Sequence, residues 1–85
     1  MKLGFIGGGN MAAALIGGLR RRGAAGADIR VVEPDAQRRA SIESEHGVIG
    51  VAAIDAALAQ AELLVVAVKP AQVQGVCETL RTWRS

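Results

Sequence analysis

Four short apolar runs, each too brief for a helix and each followed by a helix-forming stretch, leave this chain few ways to fold. They span Lys2 to Ile6, Ile29 to Glu33, Val48 to Val51 and Leu63 to Val68. The last, Leu-Leu-Val-Val-Ala-Val, is apolar throughout, the composition of a strand buried on both faces. Helices are predicted over Asn10 to Arg22, Asp35 to about His46, Asp55 to Ala61, and about Ala71 to Arg81. Asp35 and Asp55 are the expected N-caps, Gly23 and Gly47 the expected stops, and Pro70 closes the fourth strand. On the first helix Met11, Leu15 and Leu19 recur four apart and define one face. Gly17 and Gly18 weaken that helix unless close packing offsets their cost.

Strands that alternate with helices imply a parallel sheet, with right-handed crossovers placing helices on both faces. The expected fold is therefore α/β, a doubly wound parallel sheet of four strands in the order 3-2-1-4, forming one domain over residues 1–85. The core must come from Ala, Val, Leu, Ile and Gly, because Phe5 and Trp83 are the only aromatic residues. The usual dinucleotide-binding sheet has two further strands, so the domain reads as incomplete. The Leu- and Val-rich edge of the fourth strand is then open to another chain.

The first strand runs directly into Gly7-Gly8-Gly9-Asn10-Met11-Ala12, a match to G-x-G-x-x-A. Gly7 permits the tight turn out of the strand, Gly9 lets the backbone approach a pyrophosphate, and Ala12 lets the helix pack close to the sheet. The free N–H groups and positive dipole end of the helix then hold the phosphates. The same glycines in a merely flexible turn would bind nothing, but the strand–turn–helix setting favours a Rossmann-like phosphate loop. Glu33, at the end of the second strand, is placed to accept the ribose hydroxyls. A carboxylate there favours NADH, whereas Arg38 and Arg39 just beyond can reach the 2′-phosphate of NADPH, so both cofactors stay open. Lys69, at the carboxyl end of the fourth strand, is either a cation in the ligand crevice or a surface lysine beside a turn.

Other chemistries find little support. Ten basic and eight acidic residues leave a net charge of +2, and the one basic run, Arg20-Arg21-Arg22, suits a helix C-terminus. Without aromatic platforms, this pattern does not point to nucleic acid. No apolar run approaches a membrane span, and the start of the chain lacks the apolar region of a signal peptide. A single cysteine, Cys77, excludes an internal disulfide and a thiolate metal cluster, and is expected to pack on the last helix. These features fit a cytoplasmic protein. His46 is a helix-end residue, and no catalytic acid, nucleophile or metal site is nominated.

The segments Gly4–Ala12 (Gly-Phe-Ile-Gly-Gly-Gly-Asn-Met-Ala), Val31–Asp35 (Val-Val-Glu-Pro-Asp) and Ala67–Pro70 (Ala-Val-Lys-Pro) resemble the N-terminal domain of the pyrroline-5-carboxylate reductases over essentially all 85 residues. The resemblance implies a cytoplasmic, homo-oligomeric oxidoreductase of proline biosynthesis. It would reduce the C=N bond of a small imino acid, Δ1-pyrroline-5-carboxylate, with NADPH or NADH. It places the pyrophosphate at Gly7, Gly8, Gly9, Asn10 and Met11. The adenosine end falls near Glu33 and Pro34, and the nicotinamide side near Ala67, Val68, Lys69 and Pro70. Many members have a small polar residue where Glu33 stands, and some have Asn where Ile54 stands. The family's imino-acid pocket lies in a C-terminal dimerisation domain, so these 85 residues alone are expected to have little reductase activity. The alternatives are another imine or cofactor-F420-linked reductase of the 6-phosphogluconate-dehydrogenase-like group, and a non-catalytic dinucleotide-binding or assembly module.

Overall fold

The computed structural model describes residues 1–7, 9–68 and 70–84. It contains β1 (Leu3–Ile6), α1 (Asn10–Arg21), β2 (Ile29–Val32), α2 (Ala36–His46), β3 (Ile49–Val51), α3 (Ala56–Ala59), β4 (Leu63–Val66) and α4 (Pro70–Arg84). A short 3-10 turn, Gly26–Asp28, interrupts the expected loop before β2. The strands form one parallel sheet in the order β3-β2-β1-β4, the order expected from the alternation.

Side chains alternate across the sheet into two cores. Leu3, Phe5, Ile29 and Val31 join Ala12, Ile16 and Ile42, from α1 and α2, on one face. Ile6 and Val32 join Leu58 of α3 on the other, with Leu64, Val76 and Leu80 packed against them. Each face thus carries two helices, which is the doubly wound arrangement. Phe5, Ile16, Ile29, Val31 and Leu58 are the largest fully buried side chains, and each contributes about 1.5–3 kcal/mol by burial.

Helix boundaries follow local chemistry. The Asp35 carboxylate accepts the N–H groups of Gln37 and Arg38 at the start of α2, and Gly47 ends that helix in the left-handed conformation at φ 67°. Asp55 caps α3 by accepting the Leu58 N–H at 2.7 Å. The basic run behaves only in part as expected. Arg20 and Arg21 lie in the last turn of α1, but Arg20 also reaches across the fold. Its Nε donates to the His46 carbonyl at 2.8 Å and its Nη1 to the Ala24 carbonyl at 2.6 Å, tying the ends of α1 and α2 together.

Three expectations are corrected. The buried face of α1 is Ala12, Ile16 and Gly17; Met11 and Leu15 are exposed, and Leu19 is only partly buried. Close approach of the helix to the sheet favours its small residues on the inner face, so Met11 and Leu15 turn outward while Leu19 packs at the edge of the first core. β4 is not buried on both faces, because it is an edge strand: Leu63 is 52% and Val66 38% exposed. Cys77 is exposed rather than packed. His46 does end α2, its imidazole beside Gly17 and 3.8 Å from the Glu45 carboxylate. The side chain of Trp83 lies outside the described residues.

The paired glycines of α1 differ in role. A Cβ on Gly17 would come within 3.3 Å of the His46 ring, whereas one on Gly18 would meet nothing closer than 4.0 Å. Gly18→Ala is therefore expected to stabilise the fold by about 0.5–1 kcal/mol through helix propensity. A Cβ on Gly26 would collide with the Gly47 carbonyl oxygen, so Gly26→Ala is expected to lose about 1–3 kcal/mol. Urea unfolding of both variants measures the two signs.

At the same end of the sheet, where β1 and β2 begin, Lys2 Nζ donates to the Asp28 carboxylate at 2.9 Å. This hydrogen bond and the lysine charge hold the Asp28 pKa below its ordinary value. The pair therefore adds stability above the ordinary aspartate pKa and loses it as pH falls through the lowered folded value. Lys2→Met should move the Asp28 titration upward, towards an ordinary carboxylate, in a carbon-detected NMR pH series.

Candidate functional site

A cleft of about 930 Å³ opens at the carboxyl ends of the strands. Its floor is the β1–β4 junction, on either side of which the chain winds in opposite directions, the place where open α/β sheets bind ligands. Backbone pairing extends past the strands to build this floor: the Gly7 N–H donates to Val32 O at 3.0 Å and the Ala67 N–H to Ile6 O at 2.8 Å.

Gly7 has φ 102°, and a Cβ there would lie 2.6 Å from the Ala67 carbonyl oxygen. No other residue can make this turn while the ends of β1 and β4 stay paired. Gly9 has a different reason. Its φ of −74° suits any residue, yet a Cβ would meet nothing within 4 Å and Gly9 borders the cleft. Its lack of a side chain keeps space open in front of α1.

The start of α1 is what that space faces. Gly9 is the N-cap and supplies no side-chain acceptor, and the first turn holds no acidic residue. In contrast, α2 and α3 are both capped by their own aspartates. The helix beside the glycine loop thus keeps its first N–H groups and dipole end for an external anion. A pyrophosphate suits this donor set, with Gly7 and Gly9 giving the clearance.

The other expected site residues fall around the same cleft. Glu33 and Pro34 border it at the end of β2, and Ala67 and Val68 at the end of β4. Asn10 and Met11 begin α1 at its rim without lining it. Gly8 and Lys69 lie outside the described residues, as does the side chain of Pro70, whose backbone begins α4. Glu33 is nearly buried, and its carboxylate accepts the Asp35 N–H at 2.9 Å. Its backbone carbonyl accepts from the Arg39 guanidinium, also at 2.9 Å.

Sequence reasoning missed one wall. Gln72, Gly75, Val76 and Thr79 of α4 line the cleft opposite the β2–α2 turn. Their 3–4-residue spacing marks a helix face, but only the packing of Val76 and Leu80 on the second core shows which face turns inward. Ala52 and Ala53, after β3, also line the cleft, beside Ile54. Among the described residues, no group of three or more His, Cys, Asp or Glu is placed to hold a metal ion. Nor, among them, is any helix long and apolar enough to cross a membrane.

Comparison with known proteins agrees with this geometry. A family model described as NADP oxidoreductase coenzyme F420-dependent matches residues 2–85. The chain is 44% identical over 79 residues to pyrroline-5-carboxylate reductase of Pseudomonas aeruginosa, covering 93% of this chain. It is 41% identical over 80 residues to the Pasteurella multocida enzyme of the same name, covering 89% of this chain. In both cases it spans 29% of the relative's length. The structure of a pyrroline-5-carboxylate reductase from Coxiella burnetii superposes with a TM-score of 0.89 at 32% identity. That match covers 95% of this chain and 30% of the other. A four-stranded parallel sheet with a glycine loop at its switch point, matched in sequence and in shape, places the chain in the family of NADP oxidoreductases described as coenzyme F420-dependent, with pyrroline-5-carboxylate reductases among the proteins it resembles.

Proposed function

We propose that this chain is the cofactor-binding part of a pyrroline-5-carboxylate reductase, which reduces Δ1-pyrroline-5-carboxylate to L-proline with NADPH or NADH. The observation that carries the reading is the uncapped start of α1, facing the cleft across Gly9. The relatives at 44% and 41% identity supply the substrate. The cofactor, when bound, supplies a hydride to the carbon of the C=N bond.

The work of the chain is to hold and orient. Gly7, Gly8, Gly9, Asn10 and Met11 form the pyrophosphate loop, with the N–H groups of α1 as donors. Glu33 and Pro34 border the adenosine half, and Ala67, Val68, Lys69 and Pro70 the nicotinamide half. Gln72, Val76 and Thr79 of α4 wall the cleft beside the nicotinamide half. On this reading the protein acts in the cytoplasm as a homo-oligomer, with a dinucleotide and a small imino acid as its partners.

Gly9→Ser tests the phosphate site separately from folding. The serine hydroxyl can cap α1 itself, so stability should hold or rise slightly. It also competes for the donors the pyrophosphate needs, so the affinity for both NADPH and NADH should fall about tenfold or more by calorimetry. Unchanged affinity with an intact fold would remove the anion site from the start of α1.

The family description favours a second reading, electron exchange between NADP(H) and cofactor F420. The intact protein assayed with NADPH should turn over Δ1-pyrroline-5-carboxylate and leave F420 unreduced. The reverse pattern would select the second reading.

A further inference from the structure

Glycine loses more conformational freedom on folding than any other residue, and most glycines of this chain have a local reason to be there. Gly7, Gly23 and Gly47 take positive φ, and a Cβ on Gly4, Gly17, Gly26 or Gly50 would come within 3.3 Å of a neighbour. Gly9, Gly18 and Gly75 have neither reason. Their φ lies outside the positive region, and a Cβ would meet nothing closer than 4.0 Å. Gly18 does not border the cleft, whereas Gly9 and Gly75 both do. Gly9 opens the space in front of the α1 donors. Gly75 stands in the interior of α4, where alanine would make a better helix and has room for its methyl group.

The neighbours of Gly75 show what the missing side chain leaves. Val76 and Leu80 anchor α4 on the second core, and Gln72, Gly75, Val76 and Thr79 line the cleft. The Thr79 hydroxyl donates back to the Gly75 carbonyl at 3.0 Å, so it is engaged within the helix. At Gly75 the wall is therefore bare helix backbone between Gln72 and Thr79, one turn to either side, with Val76 adding apolar surface. A flat patch of this kind suits the face of a planar ring, which is held by close contact over its area and needs no hydrogen bond there.

We propose that Gly75 is a contact residue for the bound dinucleotide, kept without a side chain so that the face of one of the two planar rings rests on α4. The proposal rests on the dinucleotide reading above and adds a residue to it, since the motifs that carried that reading end at Pro70.

The test compares Gly75→Ala and Gly75→Leu with Gly18→Ala in the intact protein, by urea unfolding and by calorimetric titration with NADPH, NADH and 5′-ADP. Gly75→Ala and Gly18→Ala should both raise the urea midpoint, because each replaces a helical glycine that has room for a methyl group. Gly18→Ala should leave the affinities within about twofold. Gly75→Ala should weaken both dinucleotides about threefold or more, and Gly75→Leu about tenfold or more, as the added side chain takes the space of the ring. A parallel loss for 5′-ADP assigns the adenine ring to Gly75, and dinucleotide loss with unchanged 5′-ADP assigns the nicotinamide ring. Dinucleotide affinities that Gly75→Leu leaves within about threefold of wild type would overturn the contact and leave the cofactor site standing. A lower urea midpoint for Gly75→Ala would also overturn it, since the glycine would then serve the packing of the protein. Failure of the wild type to bind any of the three ligands would remove the dinucleotide reading itself, and this proposal with it.

Discussion

Backbone pairing on both sides of β1 is the constraint on which the rest of the molecule depends. Leu3 to Ile6 pair in parallel with Ile29 to Val32 on one side and with Leu63 to Val66 on the other. This double ladder alternates the β1 side chains between two cores, so Phe5 joins α1 and α2 while Ile6 joins the α3 and α4 side. It also determines where the chain must turn. Because β1 stays paired to its last residue and beyond, Gly7 emerges against the Ala67 carbonyl with no room for a side chain. The glycine loop is thus a consequence of the sheet as well as a feature of the site.

The helices that meet the carboxyl end of the sheet have different electrostatic ends. Asp35 and Asp55 satisfy the first donors of α2 and α3 from within the chain, and this neutralises them as anion sites. The start of α1 has a glycine in the corresponding position and an open cleft in front of it. Of these three termini, that of α1 is the one whose first N–H groups meet no side-chain acceptor from its N-cap, and it lies next to the switch point of the sheet. The α2 turn has its own balance of charge, with Glu33, Asp35 and Arg39 engaged in local hydrogen bonds and Arg38 facing the cleft.

Much of this was legible in the sequence. The Asp caps, the Gly47 stop and the glycine turn after β1 depend on neighbours a few residues away, and each was located by residue type and spacing. The parallel sheet followed from alternation, since parallel strands need helical crossovers of one hand, and the order 3-2-1-4 from reading it as doubly wound. What sequence reasoning missed depends on distance in space. The four-apart stripe of Met11, Leu15 and Leu19 is a genuine helical face, but the sheet buries Ala12, Ile16 and Gly17 because α1 lies close to it. The apolar run of β4 indicated double burial, yet a strand with one neighbour leaves Leu63 and Val66 exposed.

The sequence by itself determined the order of the elements, their caps and the position of the glycine turn, because these follow from short-range backbone chemistry. The tertiary structure alone decided the approach of Arg20 to the end of α2 and the α4 face that walls the cleft. Each of these is a contact between parts that only packing brings together. Their geometry is set by the sheet rather than by the residues themselves.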